Sequence, residues 1–316
     1  MIRKIFIIHI LIFCLFSSIK AEEEKLDFLP LLPKNNNILS YPVSICLDEK
    51  ENIYVLDAGL NQIIKMNNKG EVIFRIQKDF SFRGSSVPLA VDHKGRIVAV
   101  DNGNLEVKVF DNSGNFSNKF KIPWTSLSMD TDSHGNIYLS IESKHKNDPL
   151  IAVFSPEGKY IKSFGDRLII KNSENILSLN EISIVITKSD EIFVSFLHWP
   201  IVRKYTGQGD LIVEKNIDTR NFYKSEYTLH DVLSVPDKDW TQLVNPVILF
   251  GVSSKKESGF YLRINGPFFL YFNPELELKR TLRGYYPGPM RWAFDLNNND
   301  RIFCLMLREN NIYYQE

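Results

Sequence analysis

The chain has 316 residues, 44% hydrophobic and 12% aromatic, with 38 basic side chains balanced by 38 acidic ones. That composition supports a large buried core and excludes a disordered chain. Zero net charge leaves no basic surplus to hold a nucleic-acid backbone, and three cysteines are too few for a disulfide framework.

At the N-terminus, Met1-Ile2-Arg3-Lys4 precedes the apolar run Ile5 to Phe16, and Ser17 to Ala21 leads into Glu22-Glu23-Glu24. A basic head, a short apolar run and a small residue at the junction have the form of a secretory signal peptide; a membrane span needs roughly 20 apolar residues. Residues 1–21 are therefore expected to be removed and residues 22–316 to be secreted or periplasmic, with no membrane span after cleavage. Phe13 before Cys14 is too bulky for lipoprotein processing. Cleavage takes Arg3, Lys4 and Lys20 and no acid, which leaves 35 basic against 38 acidic side chains and a net charge of −3.

Lys25 to Leu32 alternates enough to form a strand, and Lys34 to Asn37 is a loop. The first full unit runs from Val43 to Ile76 as four short strand signals separated by three turns, at Glu49 to Asn52, Ala58 to Asn61 and Asn67 to Gly70. Leu89 to Phe120, Leu127 to Phe164 and Ile182 to Lys215 repeat it, a fifth unit is degraded, and a sixth stops after three strands. Taking the first apolar residue of each second strand gives Ile53, Ile97, Ile137, Ile192, Phe260 and Ile302, spaced by 44, 40, 55, 68 and 42. Four strands recurring at such periods specify an all-β, six-bladed β-propeller of four-stranded antiparallel blades. The sixth unit lacks its outer strand and the segment at 22–32 has no unit of its own. The two are expected to join and close the ring, because an unpaired blade edge invites aggregation.

The second unit carries Val91-Asp92, Gly95, Ile97, Asp101, Gly103-Asn104, Val107, Val109-Phe110-Asp111 and Gly114. In that order these residues resemble the NHL repeat of six-bladed propellers. Units one and three keep much of the pattern, although Leu60 stands where Asn is usual, and Gln62 and Glu106 stand where Arg is usual. The resemblance implies the propeller fold and a tendency to bind, since NHL-like propellers include protein-binding modules, lyases and lactonase relatives.

Asp48, Asp92 and Asp132 each precede a strand anchor by five residues, where Asp caps its own turn. Asp295 to Ile302 has the oxygen spacing of half a calcium loop, but Asp300 stands where Gly is needed and Met306 where Glu is needed. No metalloprotease, nucleophile-elbow or phosphate-cradle motif occurs. His93 and His134 fall in first turns and are expected to be solvated. Cys46 and Cys304 sit on strands of different sheets, so buried free thiols are expected.

The loops at the other end of the ring concentrate the residue types of binding hot spots. Between units lie Arg83, Trp124, Arg167, then Arg220, Tyr223 and Trp240 in a long insertion, and Tyr285, Tyr286 and Arg291, while Trp199 follows a second strand. Two uses of these side chains stand open: packing between blades, and recognition of a protein or small extracytoplasmic ligand. The second makes the chain a noncatalytic binding module, monomeric and without a cofactor. The rival is a metal-dependent enzyme of the lactonase or lyase kind. It would hold a divalent ion such as calcium with Asp101, Glu142, His198 and Asn265, which follow second strands. A weaker third reading is an envelope scaffold that pairs through its outer strands.

Overall fold

The computed structural model describes residues 23–33, 36–77, 80–82, 87–143, 145–168, 180–217, 250–254, 256–264, 268–285, 290–306 and 310–315. All regular structure in them is β. The chain opens with β1 (Glu23–Pro30), and the first four-stranded sheet follows as β2 (Pro42–Leu47), β3 (Ile53–Asp57), β4 (Gln62–Met66) and β5 (Val72–Ile76). The next sheet is β6 (Leu89–Val91), β7 (Ile97–Asp101), β8 (Glu106–Phe110) and β9 (Phe116–Lys121). Then come β10 (Met129–Thr131), β11 (Ile137–Ser140), β12 (Ile151–Phe154) and β13 (Tyr160–Phe164), and after them β14 (Ile182–Ile186), β15 (Ile192–Phe196), β16 (Ile201–Tyr205) and β17 (Leu211–Asn216). The remaining strands are β18 (Phe250–Ser253), β19 (Phe260–Arg263), β20 (Phe268–Phe272), β21 (Leu278–Tyr285), β22 (Met290–Leu296), β23 (Ile302–Met306) and β24 (Ile312–Gln315). Together with β1 they form one eight-stranded sheet in the order β18-β19-β20-β21-β1-β24-β23-β22.

This is a β-propeller. Strands β2, β6, β10, β14, β18 and β22 touch their neighbours in a closed cycle around a central channel of about 510 Å³. Every sequence anchor is the first residue of a second strand, and β3, β7, β11, β15, β19 and β23 are buried along their whole length. Sheets stacked face to face cover both sides of these strands, so their apolar runs are continuous instead of alternating. The outer strands β5, β9, β13 and β17 are mostly exposed.

Turn chemistry follows from the same repeat. Asp48 Oδ1 accepts the N–H groups of Lys50 and Asn52, both at 2.9 Å, and Asp92 and Asp132 repeat the pattern. These acids are therefore structural. In the half calcium loop, Asp300 accepts from Ser254 Oγ and Lys256 N–H, while Asn297 caps the turn. Gly158, at φ +87°, seats the Phe120 ring of the neighbouring sheet, and an added Cβ would lie 2.3 Å from that ring. Cys46 and Cys304 are both buried and are not joined to each other, and they belong to separate core clusters.

The inner strands expose one ladder edge to the channel, and side chains of the preceding inner strand complete part of it. Ser128 Oγ accepts from Ile184 N–H at 2.9 Å, Asp130 from Ile186 N–H at 2.7 Å, Ser183 from Gly251 N–H at 3.1 Å and Asp295 from Leu47 N–H at 2.6 Å. An amide left unpaired in such a place costs about 1–3 kcal/mol. Asp295→Ala is expected to lower unfolding stability by that amount in urea titrations, with much of it recovered in Asp295→Asn, which keeps an acceptor oxygen.

Strand β1 joins the two ends of the chain. Glu23 to Asp27 pair in parallel with Thr281 to Tyr285, and Phe28 to Pro30 pair antiparallel with Gln315 to Tyr313. The second pairing is the expected closure. The first is additional, and it fuses the last two sets of strands into a single sheet.

Candidate functional site

At the end of the ring away from the Asp-capped turns, loops between sheets meet the loops that follow second strands. At three places around the ring these meetings are made with neutral amides. Asn61 Nδ2 donates to Phe80 O at 2.7 Å. Asn102 exchanges two hydrogen bonds with Ser126, at 2.8 and 2.9 Å, and Asn311 exchanges two with Leu32, at 2.9 and 3.1 Å. An amide side chain mimics the backbone and carries no charge.

One sector also gathers several ionisable side chains. Between the sheets β10–β13 and β14–β17 these are Glu142, Arg167, Glu181 and His198, alongside Asn180, which exchanges two hydrogen bonds with Leu168, at 2.7 and 3.2 Å. Glu142 sits just beyond β11, where its N–H donates to Thr125 O at 3.2 Å. His198 lies just beyond β15, and its Nε2 is 2.8 Å from Glu181 Oε2. The N–H of Leu197 donates to Glu181 O at 2.9 Å, so the backbone holds the two segments of this pair together.

The Glu142 carboxyl is pushed up to about 8, first by burial and then by the negative charge of Glu181, against the opposing pull of Arg167 and of the Ser140 hydroxyl. Ser140 Oγ accepts the N–H groups of Leu127 and Ser128, at 2.9 and 3.1 Å, and reaches Glu142 Oε1 at 3.4 Å. Arg167 is buried. It donates from Nη2 to Ile141 O at 2.6 Å and Pro149 O at 3.2 Å, and from Nε to Asp148 O at 2.9 Å. The loop that carries Glu142 is thus pinned at both ends by one guanidinium.

The sequence-derived face is only partly assembled. Trp199 is 3% exposed and packs in a core cluster with Leu150, while Trp124 is half-buried against the cluster that holds Ile141. Both indoles lie at the base of the Glu142 loop, and their N–H groups are buried without a partner among the described residues. Tyr285 ends β21 and Arg291 lies in β22, with their side chains outside the description. Arg83, Arg220, Tyr223, Trp240, Tyr286 and Asn265 lie outside the described residues. Glu181 escaped sequence reasoning because it belongs to no motif and simply precedes β14.

Among the described residues the expected metal set is not assembled. The Asp101 carboxylate accepts from Lys108 Nζ at 2.7 Å, from Asn104 Nδ2 at 2.9 Å and from the Ser81 N–H at 3.1 Å. With an ammonium already seated on it, Asp101 has no place for a cation, and its pKa is lowered by these partners against the effect of burial. Among the described residues no three His, Cys, Asp or Glu side chains are grouped to hold a metal ion.

The class defined by the fold is the β-propeller. No family model matches the chain, and no curated protein does. Solved structures do. Virginiamycin B lyase from Staphylococcus aureus, in a catalytically inactive variant with quinupristin, is 13% identical with a TM-score of 0.60, covering 91% of this chain and 99% of that one. A streptogramin B lyase is 12% identical with a TM-score of 0.58, covering 92% and 97%. A protein of Bacteroides fragilis NCTC 9343 named only for its expected export is 14% identical with a TM-score of 0.57, covering 92% and 94%. At these identities the likeness establishes the fold, and the NHL family is not established by it. No helix among the described residues is long and apolar enough to cross a membrane.

Proposed function

We propose that the protein is an exported, NHL-like, six-bladed propeller enzyme that performs acid–base chemistry of the lyase kind at its loop end. The eight-stranded sheet is read as two blades that share β1 at their seam. Glu142 serves as proton donor, and His198, oriented by Glu181, serves as proton acceptor. The observation that carries this reading is the Glu142 carboxyl, pushed up to about 8 beside an imidazole–carboxylate pair. Two titratable groups in one sector can divide an elimination between them: His198 takes a proton from carbon as the double bond forms and the carbon–oxygen bond breaks, and Glu142 donates a hydrogen bond to the oxygen that leaves.

The sector favours this over a purely adhesive face, because Trp199 is committed to the interior. Export rests on the form of residues 1–21 and agrees with the naming of the Bacteroides protein. The similar lyases share the fold and suggest the first compound to try.

The test is incubation of the purified protein with quinupristin and a set of simpler cyclic esters, followed by mass spectrometry. Elimination within a ring opens it without a change of mass, whereas hydrolysis adds one water. Ring opening at constant mass, reduced about 10²- to 10⁴-fold in Glu142→Gln and in His198→Ala, is the expected result. Binding without turnover across the set would return the protein to the noncatalytic class.

A further inference from the structure

Arg167 is held unusually for a loop arginine. Its Nε and Nη2 are engaged by the carbonyls of Asp148, Ile141 and Pro149, which fixes the guanidinium plane, while Nη1 has no partner among the described residues. The residue is 6% exposed, and the carboxyl groups of Glu142 and Asp148 act on it electrostatically. A guanidinium so fixed loses little freedom when its remaining nitrogen, Nη1, engages an oxygen, and the N–H groups of Nη1 can donate charge-assisted hydrogen bonds to an anionic oxygen.

The charges nearby set what that group can be. Glu181 directs its carboxylate to His198, and Glu142 is the acid facing Arg167 from its own loop, with Asp148 at the far end of that loop. With Glu142 protonated, the guanidinium keeps positive charge for an incoming anion.

We propose that the Nη1 edge of Arg167 is the anchor for a carboxylate or other anionic oxygen of the ligand. The inference rests on the reading of this sector as the active site, and it concerns binding alone. Deprotonation of Glu142 adds a negative charge beside the anchor, so anion binding weakens as pH rises through about 8.

Benzoate and benzamide separate the effect of charge from that of shape. The measurement is nitrogen NMR of arginine-labelled full-length protein titrated with each, with the Arg167 signal assigned by Arg167→Lys. Saturable shifts of that signal with benzoate, none with benzamide, at least tenfold weaker benzoate binding in Arg167→Lys and loss of it in Arg167→Gln are expected. Should Arg167→Gln fail to fold, the benzoate and benzamide comparison on the wild-type signal decides alone. Equal response to both compounds, no response to benzoate, or unchanged affinity in the variants overturns the proposal. Benzoate binding without ring-opening activity would defeat the catalytic reading and leave the anchor standing; ring opening without benzoate binding would do the reverse.

Discussion

Removal of residues 23–30 is expected to abolish the folded state. Strand β1 supplies a neighbour to both β21 and β24, so its loss exposes two ladder edges at once. It also uncovers the cluster of Phe269, Phe294 and Tyr313, into which Leu26 and Phe28 are packed at 3% and 7% exposure. Truncating such side chains costs about 2–5 kcal/mol for Leu→Ala and about 3–5 kcal/mol for Phe→Ala. Whole domains are stable by only about 5–15 kcal/mol. Leu26→Ala and Phe28→Ala should therefore each shift the urea midpoint strongly, and the deletion should aggregate on size exclusion. A synthetic peptide spanning residues 22–32 added during refolding is expected to restore soluble protein. A deletion that keeps the wild-type midpoint would show that the ring closes by other contacts.

Glu142→Gln should stabilise the protein in a pH-dependent way. The folded-state pKa is raised from the ordinary 4.5 to about 8, so the folded protein holds a proton there that the unfolded chain gives up. For an acid shifted upward, stability falls as pH rises from the unfolded value through the folded one, then stays level. The amide keeps the shape and removes the charge. Its advantage over wild type should be absent near pH 4, grow between about pH 4.5 and 8, and remain constant above. The full shift corresponds to a few kcal/mol at most, since each unit is about 1.4 kcal/mol and partial exposure reduces the effect. Thermal midpoints of the two proteins across that range provide the check. A constant difference at all pH values would mean that Glu142 titrates as a free glutamate.

Much of the fold is legible in the sequence because its signals are local. The six anchors, the Asp and Gly turns and the missing outer strand of the last unit are each set by a few neighbouring residues, and all of them reappear in the structure. The parallel pairing of β1 with β21 is not legible, since parallel neighbours share no turn that would mark them. The site is harder still. Trp199 and Arg167 belong to a recognition face by residue type, but types that dominate interfaces are also those that bury large surfaces or bridge carbonyls, and here they do so. Asp101 has the chemistry of a metal ligand until Lys108, on the adjacent strand β8 and in no motif, is placed against its carboxylate. Glu142 and His198 stand out in sequence as donors after second strands, yet the pair acquires chemical meaning only through Glu181, which three-dimensional packing brings to His198.

The protonation of Glu142 decides the account. The measurement is a carbon NMR titration of the glutamate side-chain carboxyl groups, with the Glu142 signal assigned by its absence in Glu142→Gln. A midpoint near 8 that falls when Glu181 is replaced by Gln is the result the acid–base site requires. A midpoint near the ordinary glutamate value of 4.5, unmoved by Glu181→Gln, would contradict it.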